Sequence, residues 1–96
     1  MAEEKILQSK ILRDLDSKGK NCIAFKIEKA SVNGVPDIFF STPSTGPVFV
    51  ETKSKKNKVS PIQAEVHKNL IYCGAKVYVC HTWGQWVELK KMLNMN

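Results

Sequence analysis

Gly34-Val35-Pro36-Asp37-Ile38-Phe39-Phe40-Ser41-Thr42-Pro43-Ser44-Thr45-Gly46-Pro47-Val48-Phe49-Val50-Glu51-Thr52-Lys53 reads as two strands joined by a concentrated turn. Asn33-Gly34 is a turn signal, and a strand is predicted from about Asp37 to Ser41. Residues 42–47 hold the proline, glycine and hydroxyl residues of a tight connection, and Val48 to Lys53 forms the other arm of the hairpin. Side chains alternate along a strand, so Phe49, Glu51 and Lys53 share one face while Val48, Val50 and Thr52 share the other.

Upstream, Leu7, Ile11 and Leu15 recur every four residues with Leu12 widening the stripe, which predicts a helix from Glu3 to about Lys18, ended by Ser17, Gly19 and Asn21. Ile23 to Ile27 reads as a strand, followed by a polar connection. Downstream, Ser54 to Val59 is a lysine-rich loop. Ser60-Pro61 supplies an N-cap and a first-turn proline for a helix running to about Cys73, with Gly74 placed to end it. Ala75 to Cys80 is a further strand, and Trp86 to Leu93 a short terminal helix. The expected order is α-β-β-β-α-β plus a helix, an α/β fold without repeats or linkers.

A length of 96 residues fits one domain over residues 1–96, because halves would be too small to bury a core. Hydrophobic and charged fractions of 43% and 25% are those of a folded chain. A formal charge of +6 favours polyanionic partners without specifying one. Cys22, Cys73 and Cys80 are odd in number and lack metal-ligand spacing, which argues against a disulfide framework or a structural zinc site and for a reducing cytoplasm. No apolar run reaches membrane-span length, and Met-Ala-Glu-Glu-Lys does not resemble a secretory leader, so neither export nor membrane anchoring is expected.

The hairpin also carries chemistry. Glu51 and Lys53 stand about 6–7 Å apart at Cα on one face of the strand. Asp37, entering the partner strand after Pro36, is brought near Glu51 by the pairing. Two converging carboxylates suit Mg²⁺ or Mn²⁺, hard cations that prefer oxygen ligands and retain waters. Such an ion polarises a phosphate and activates water. Singly, each residue is better read as a turn aspartate or a strand-edge charge. Together they form a pattern that chance composition seldom produces.

Gly34-Val35-Pro36-Asp37, Glu51-Thr52-Lys53 and Ser60-Pro61-Ile62-Gln63 resemble the VRR-NUC family of the PD-(D/E)XK nuclease superfamily, in its stand-alone phage and bacterial form. The resemblance spans nearly the whole chain. It implies a restriction-endonuclease-like core with a mixed central sheet flanked by helices. It further implies Asp37 and Glu51 as metal ligands with the Thr52 backbone carbonyl, and Lys53 as the catalytic cation. The implied activity is metal-dependent DNA cleavage, selective for branched or Holliday-junction-like structures. A homodimer is expected because two sites are needed to cut paired strands of a symmetric junction. The competing reading is a non-catalytic nucleic-acid-binding module with the same fold. The implied setting is the cytoplasm of a bacterial cell or phage-infected host.

The resemblance also places a glutamate on the first helix. At about 100° per residue, Glu4 projects near the centre of the Leu7–Ile11–Leu15 stripe, whereas Glu3 points roughly 90° away and is expected to be solvated. Glu4 is therefore the expected third acidic ligand. Ser60 and Gln63 satisfy a capping box, which alone accounts for both; the resemblance adds that Gln63 faces the site. Lys55, Lys56 and Lys58, with Lys26, Lys29 and Ser60, are expected to line a path for DNA phosphates. His67 follows Gln63 by four on the same helical face, and His81 follows a strand; both have ordinary packing or end-capping roles available. Trp83 and Trp86 are expected to pack rather than stack on bases.

Overall fold

The computed structural model describes residues 2–95. Its elements are α1 (Ala2–Asp16), β1 (Ile23–Lys26), β2 (Ile38–Thr42), β3 (Gly46–Thr52), α2 (Pro61–Tyr72), β4 (Lys76–Cys80) and α3 (Trp83–Met92), in the predicted order. A single 3₁₀ turn at Gly19–Asn21, not anticipated, leads from α1 into β1. The sheet order is β1-β2-β3-β4. The first three strands are antiparallel, and β4 runs parallel to β3, which requires the α2 crossover between them.

Alternation sorts the sheet into two faces. Ile38 and Phe40 of β2 and Val48 and Val50 of β3 are fully buried, and they pack with Leu7, Ile11 and Leu15 of α1 and Trp86 and Leu89 of α3. The opposite face carries Phe25, Phe39 and Phe49 in a row across three strands, with ring centroids 5.0 and 5.3 Å apart. Helix α2 lies on this second side, where Gln63 reaches Glu51 of β3. Helices on both faces of a mixed sheet make three layers.

Helix ends follow local chemistry. The predicted capping box at α2 is complete: Gln63 N donates to Ser60 Oγ at 3.2 Å and Ser60 N to Gln63 Oε1 at 2.9 Å. The helix closes with Gly74 at φ 100°, its N–H on Ile71 O and that of Ala75 on Leu70 O, a Schellman arrangement. Helix α3 begins a turn earlier than expected. Thr82 caps it by accepting from Gln85 N at 3.1 Å, while Gln85 Oε1 accepts from His81 N at 2.6 Å. The two outer helices are clasped by Asp14, which accepts from Trp86 Nε1 at 2.8 Å and Lys90 Nζ at 2.6 Å.

At the hairpin tip, Thr42 and Thr45 exchange hydrogen bonds between each backbone N–H and the other's hydroxyl, and Lys76 Nζ donates to Thr45 O at 2.6 Å. At the hairpin's open end, Gly34 adopts φ 92°. A Cβ there would lie 2.9 Å from both Ile62 Cγ2 and Ile62 O at the start of α2. Gly34→Ala therefore combines left-handed strain with a clash against backbone. It is expected to lower unfolding free energy by about 2–3 kcal/mol, read from the urea midpoint at unchanged slope.

Candidate active site

Asp37 immediately precedes β2, and continuing the β2–β3 register from Ile38↔Val50 sets it opposite Glu51. Its carboxylate is held on both oxygens: Thr52 N donates to Oδ1 at 3.1 Å and Thr52 Oγ1 to Oδ2 at 2.7 Å. The N–H and C=O of one strand residue point to the same side. With Thr52 N–H aimed at Asp37, the Thr52 carbonyl opens on the same edge. Burial raises the Asp37 pKa above the usual carboxylate range, against the lowering effect of the Thr52 hydrogen bonds and of nearby Gln8, and the Glu4 charge raises it further.

Glu51 lies on the α2 side of β3 with only 4% of its surface exposed. Gln63 Nε2 donates to its Oε2 at 3.3 Å, and Lys53 Nζ lies 3.7 Å from the same oxygen. Loss of solvation, then the Asp37 charge and the more distant Glu4 charge, push its pKa up to about 7 despite Lys53. The other oxygen, Oε1, is buried and has no hydrogen-bond partner. His67 Nε2 lies 4.0 Å from it, likewise buried and without a partner. Burial and the adjacent Lys53 charge push the His67 pKa down, so this approach is not an ion pair at neutral pH.

Asp37, Glu51, Lys53, Thr52 and Gln63 are thus brought together at the open end of the hairpin. Glu4 is half-buried on α1 and close enough to bias both carboxylates electrostatically. Among the described residues no three His, Cys, Asp or Glu side chains close into a preformed metal cage. The two raised carboxylates fit a divalent cation, whose charge would favour the ionised form of both.

Two site residues escaped the sequence reading. Gln8, one turn after Glu4 on α1, comes close enough to Asp37 to lower its pKa. Its i+4 spacing from Glu4 was the available signal. Glu3, expected to be only solvated, accepts from Lys55 N at 2.9 Å and so ties the lysine loop to α1. His81 Nδ1 reaches Ser54 O at 3.0 Å on the same loop.

The basic residues sit around this edge. Lys55, Lys56 and Lys58 are exposed on the loop leaving β3, and Ser60 ends it as the α2 cap. Lys26 is exposed at the end of β1, where Ile27 N donates to Asp37 O at 2.8 Å, and its ammonium lies 3.9 Å from Glu28. Lys29 is exposed beside a hollow lined by Ile27 to Ala30 and Val32 to Val35. Trp86 is fully buried, and Trp83 is half-buried with Lys10 Nζ 4.9 Å from its ring centroid.

Comparison with known proteins adds two findings. The profile of the VRR-NUC domain matches residues 3–83. A solved structure described as a VRR_NUC domain superposes with a TM-score of 0.80 at 24% identity, covering 93% of this chain and 95% of that chain. At that identity the second likeness is one of fold. No curated protein matches the chain.

Proposed function

The chain belongs to the VRR-NUC domain family, a nuclease-fold family, and from that premise we propose that it is a divalent-metal-dependent DNA endonuclease. The supporting observation is the meeting of Asp37, Glu51 and Lys53 at one edge, with Glu51 buried and pushed up to about 7. Such a carboxyl exchanges its proton for a cation near neutral pH.

Asp37 and Glu51 would hold Mg²⁺ or Mn²⁺ with the Thr52 carbonyl, and Glu4 would balance charge from outside. When bound, the cation polarises the scissile phosphate and lowers the pKa of water. Thr52 fixes the Asp37 carboxylate plane through two hydrogen bonds, so this ligand is preorganised. Gln63 orients Glu51 from α2. Lys53 Nζ, confined beside Glu51, offsets the negative charge that builds on the phosphate as water attacks phosphorus and the leaving oxygen departs with a proton. Lys26 and Lys29 on one side and Lys55, Lys56 and Lys58 on the other would carry the DNA backbone past the site. These lysines form no evident base-reading set, so DNA structure, in particular branching, would set selectivity. One site per chain makes a homodimer the unit that cuts paired strands. No helix of the described residues is long and apolar enough to cross a membrane. A bacterial or phage-infected cytoplasm suits the free thiols.

The test is incubation of purified protein with linear, flapped and four-way DNA, with Mg²⁺, Mn²⁺ or EDTA, beside Asp37→Asn. Cleavage of branched DNA that needs metal, and that falls at least 10³-fold in the variant, is expected. Absence of metal-dependent cleavage, or a fully active variant, would overturn the enzyme reading. Binding without cleavage would favour a non-catalytic DNA-binding module instead. Light scattering with and without DNA checks the dimer.

A further inference from the structure

Two buried side-chain polar atoms among the described residues lack a hydrogen-bond partner, Glu51 Oε1 and His67 Nε2, and they face each other at 4.0 Å. An orphan of this kind is costly, and buried side-chain polar atoms are paired in the large majority of cases. Two that face each other are a donor and acceptor pair short of contact by about 1 Å.

The surroundings give the pair a direction. Gln63 already donates to Glu51 Oε2, and its helix turn is pinned by the Ser60 capping box. His67 stands one turn further along α2, on the same helical face, and is 7% exposed. Two residues of one helix therefore address the two oxygens of one carboxylate. Lys53 lies near Oε2 and does not serve Oε1.

We propose that His67 is a positioning residue for Glu51: its Nε2–H donates to Oε1, so that Gln63 and His67 together fix the carboxylate plane with its remaining lone pairs toward Asp37. The metal-binding consequence rests on the nuclease reading; the hydrogen bond itself does not. Donors behind a ligating carboxylate typically change metal affinity 10–100-fold. In this role His67 is held in the Nε2–H tautomer and touches neither substrate nor metal.

Two measurements test this. In metal-free protein at pH 8, long-range ¹H–¹⁵N correlation spectra should show His67 protonated at Nε2, with that nitrogen moving in Glu51→Gln. An Nδ1–H tautomer, or a nitrogen unmoved by Glu51→Gln, overturns the contact whether or not the protein is a nuclease. Titration with Mn²⁺ by calorimetry should give His67→Leu and His67→Asn about tenfold weaker binding. His67→Gln, whose Nε2 reaches the same place, should stay within about threefold of wild type. A merely structural role would lower thermal stability in these variants without separating Gln from Asn. Equal Mn²⁺ affinity for wild type and His67→Leu overturns the positioning role. If wild type binds no Mn²⁺ while the spectra show the contact, the nuclease reading fails and the hydrogen bond stands.

Discussion

Glu51→Gln is expected to make the metal-free protein more stable at neutral pH while abolishing metal-dependent cleavage. A carboxyl raised from 4.5 to about 7 binds its proton more tightly in the folded chain than in the unfolded one. Its stabilising contribution is full below about pH 4.5 and is lost as pH rises through about 7. Asp37 is raised as well and acts in the same direction. The amide carries no charge, so it escapes this loss and retains an acceptor for Gln63. Its advantage should be near zero at pH 4, grow between pH 4.5 and 7, and level off at about 1–2 kcal/mol. That is below the limit of about 3 kcal/mol set by the full shift. Melting curves across this range check the sign; a variant less stable at pH 8 would contradict it. Excess Mg²⁺ or Mn²⁺ should raise the wild-type melting temperature at pH 8 and leave the variant unmoved.

Lys53→Met should have the other large effect, and a different signature. The methionine preserves much of the buried stem but removes the charge 3.7 Å from Glu51 Oε2. Loss of a preorganised charge partner for the reacting phosphate is expected to slow cleavage by about 10²–10³-fold at saturating metal. Above the Glu51 pKa, metal affinity should not fall with it. At pH 8.5, where Glu51 is ionised, the cation meets one fewer positive neighbour and binds as well or better. At pH 6.5 the missing ammonium leaves Glu51 more fully protonated, and binding weakens. Parallel single-turnover rates and Mn²⁺ titrations at the two pH values separate these effects. Equal loss of rate and affinity at pH 8.5 would instead mark Lys53 as a prop for the ligands.

Much of this arrangement was legible because it is written in short-range patterns. The period-two alternation of Val48 to Lys53 gives the faces of β3, and the four-residue spacing of Leu7, Ile11 and Leu15 gives the buried stripe of α1. The Ser60-x-x-Gln63 box marks the start of α2 in the sequence, whereas the equally spaced Thr82-x-x-Gln85 opens α3 one turn ahead of the Trp86 start that apolar spacing suggests. What the sequence withheld were contacts between distant elements. Gln8 comes near Asp37 from α1, and Glu3 reaches the Lys55 amide, although helical phase made Glu3 look like a purely solvated charge. Phase gives the direction of a side chain from its helix axis. It says nothing about which loop will arrive there. His67 was visible as a neighbour of Gln63, but its confrontation with an unpartnered oxygen needed three dimensions.

The Thr42–Thr45 clasp also determines where this chain tolerates changes of length. From Gly46 to Glu51 the strand rises about 16 Å, so the clasp and the carboxylates occupy opposite ends of one hairpin. Growth at the tip leaves the register of Asp37 against Glu51 undisturbed if each arm gains residues in pairs, because every added pair restores the same face. A single residue added to one arm has no such neutrality: it must be absorbed as a bulge or it inverts the buried and exposed sides of that arm. Length variants of the hairpin should therefore fall into even steps per strand, with odd ones marked by a bulge near the tip.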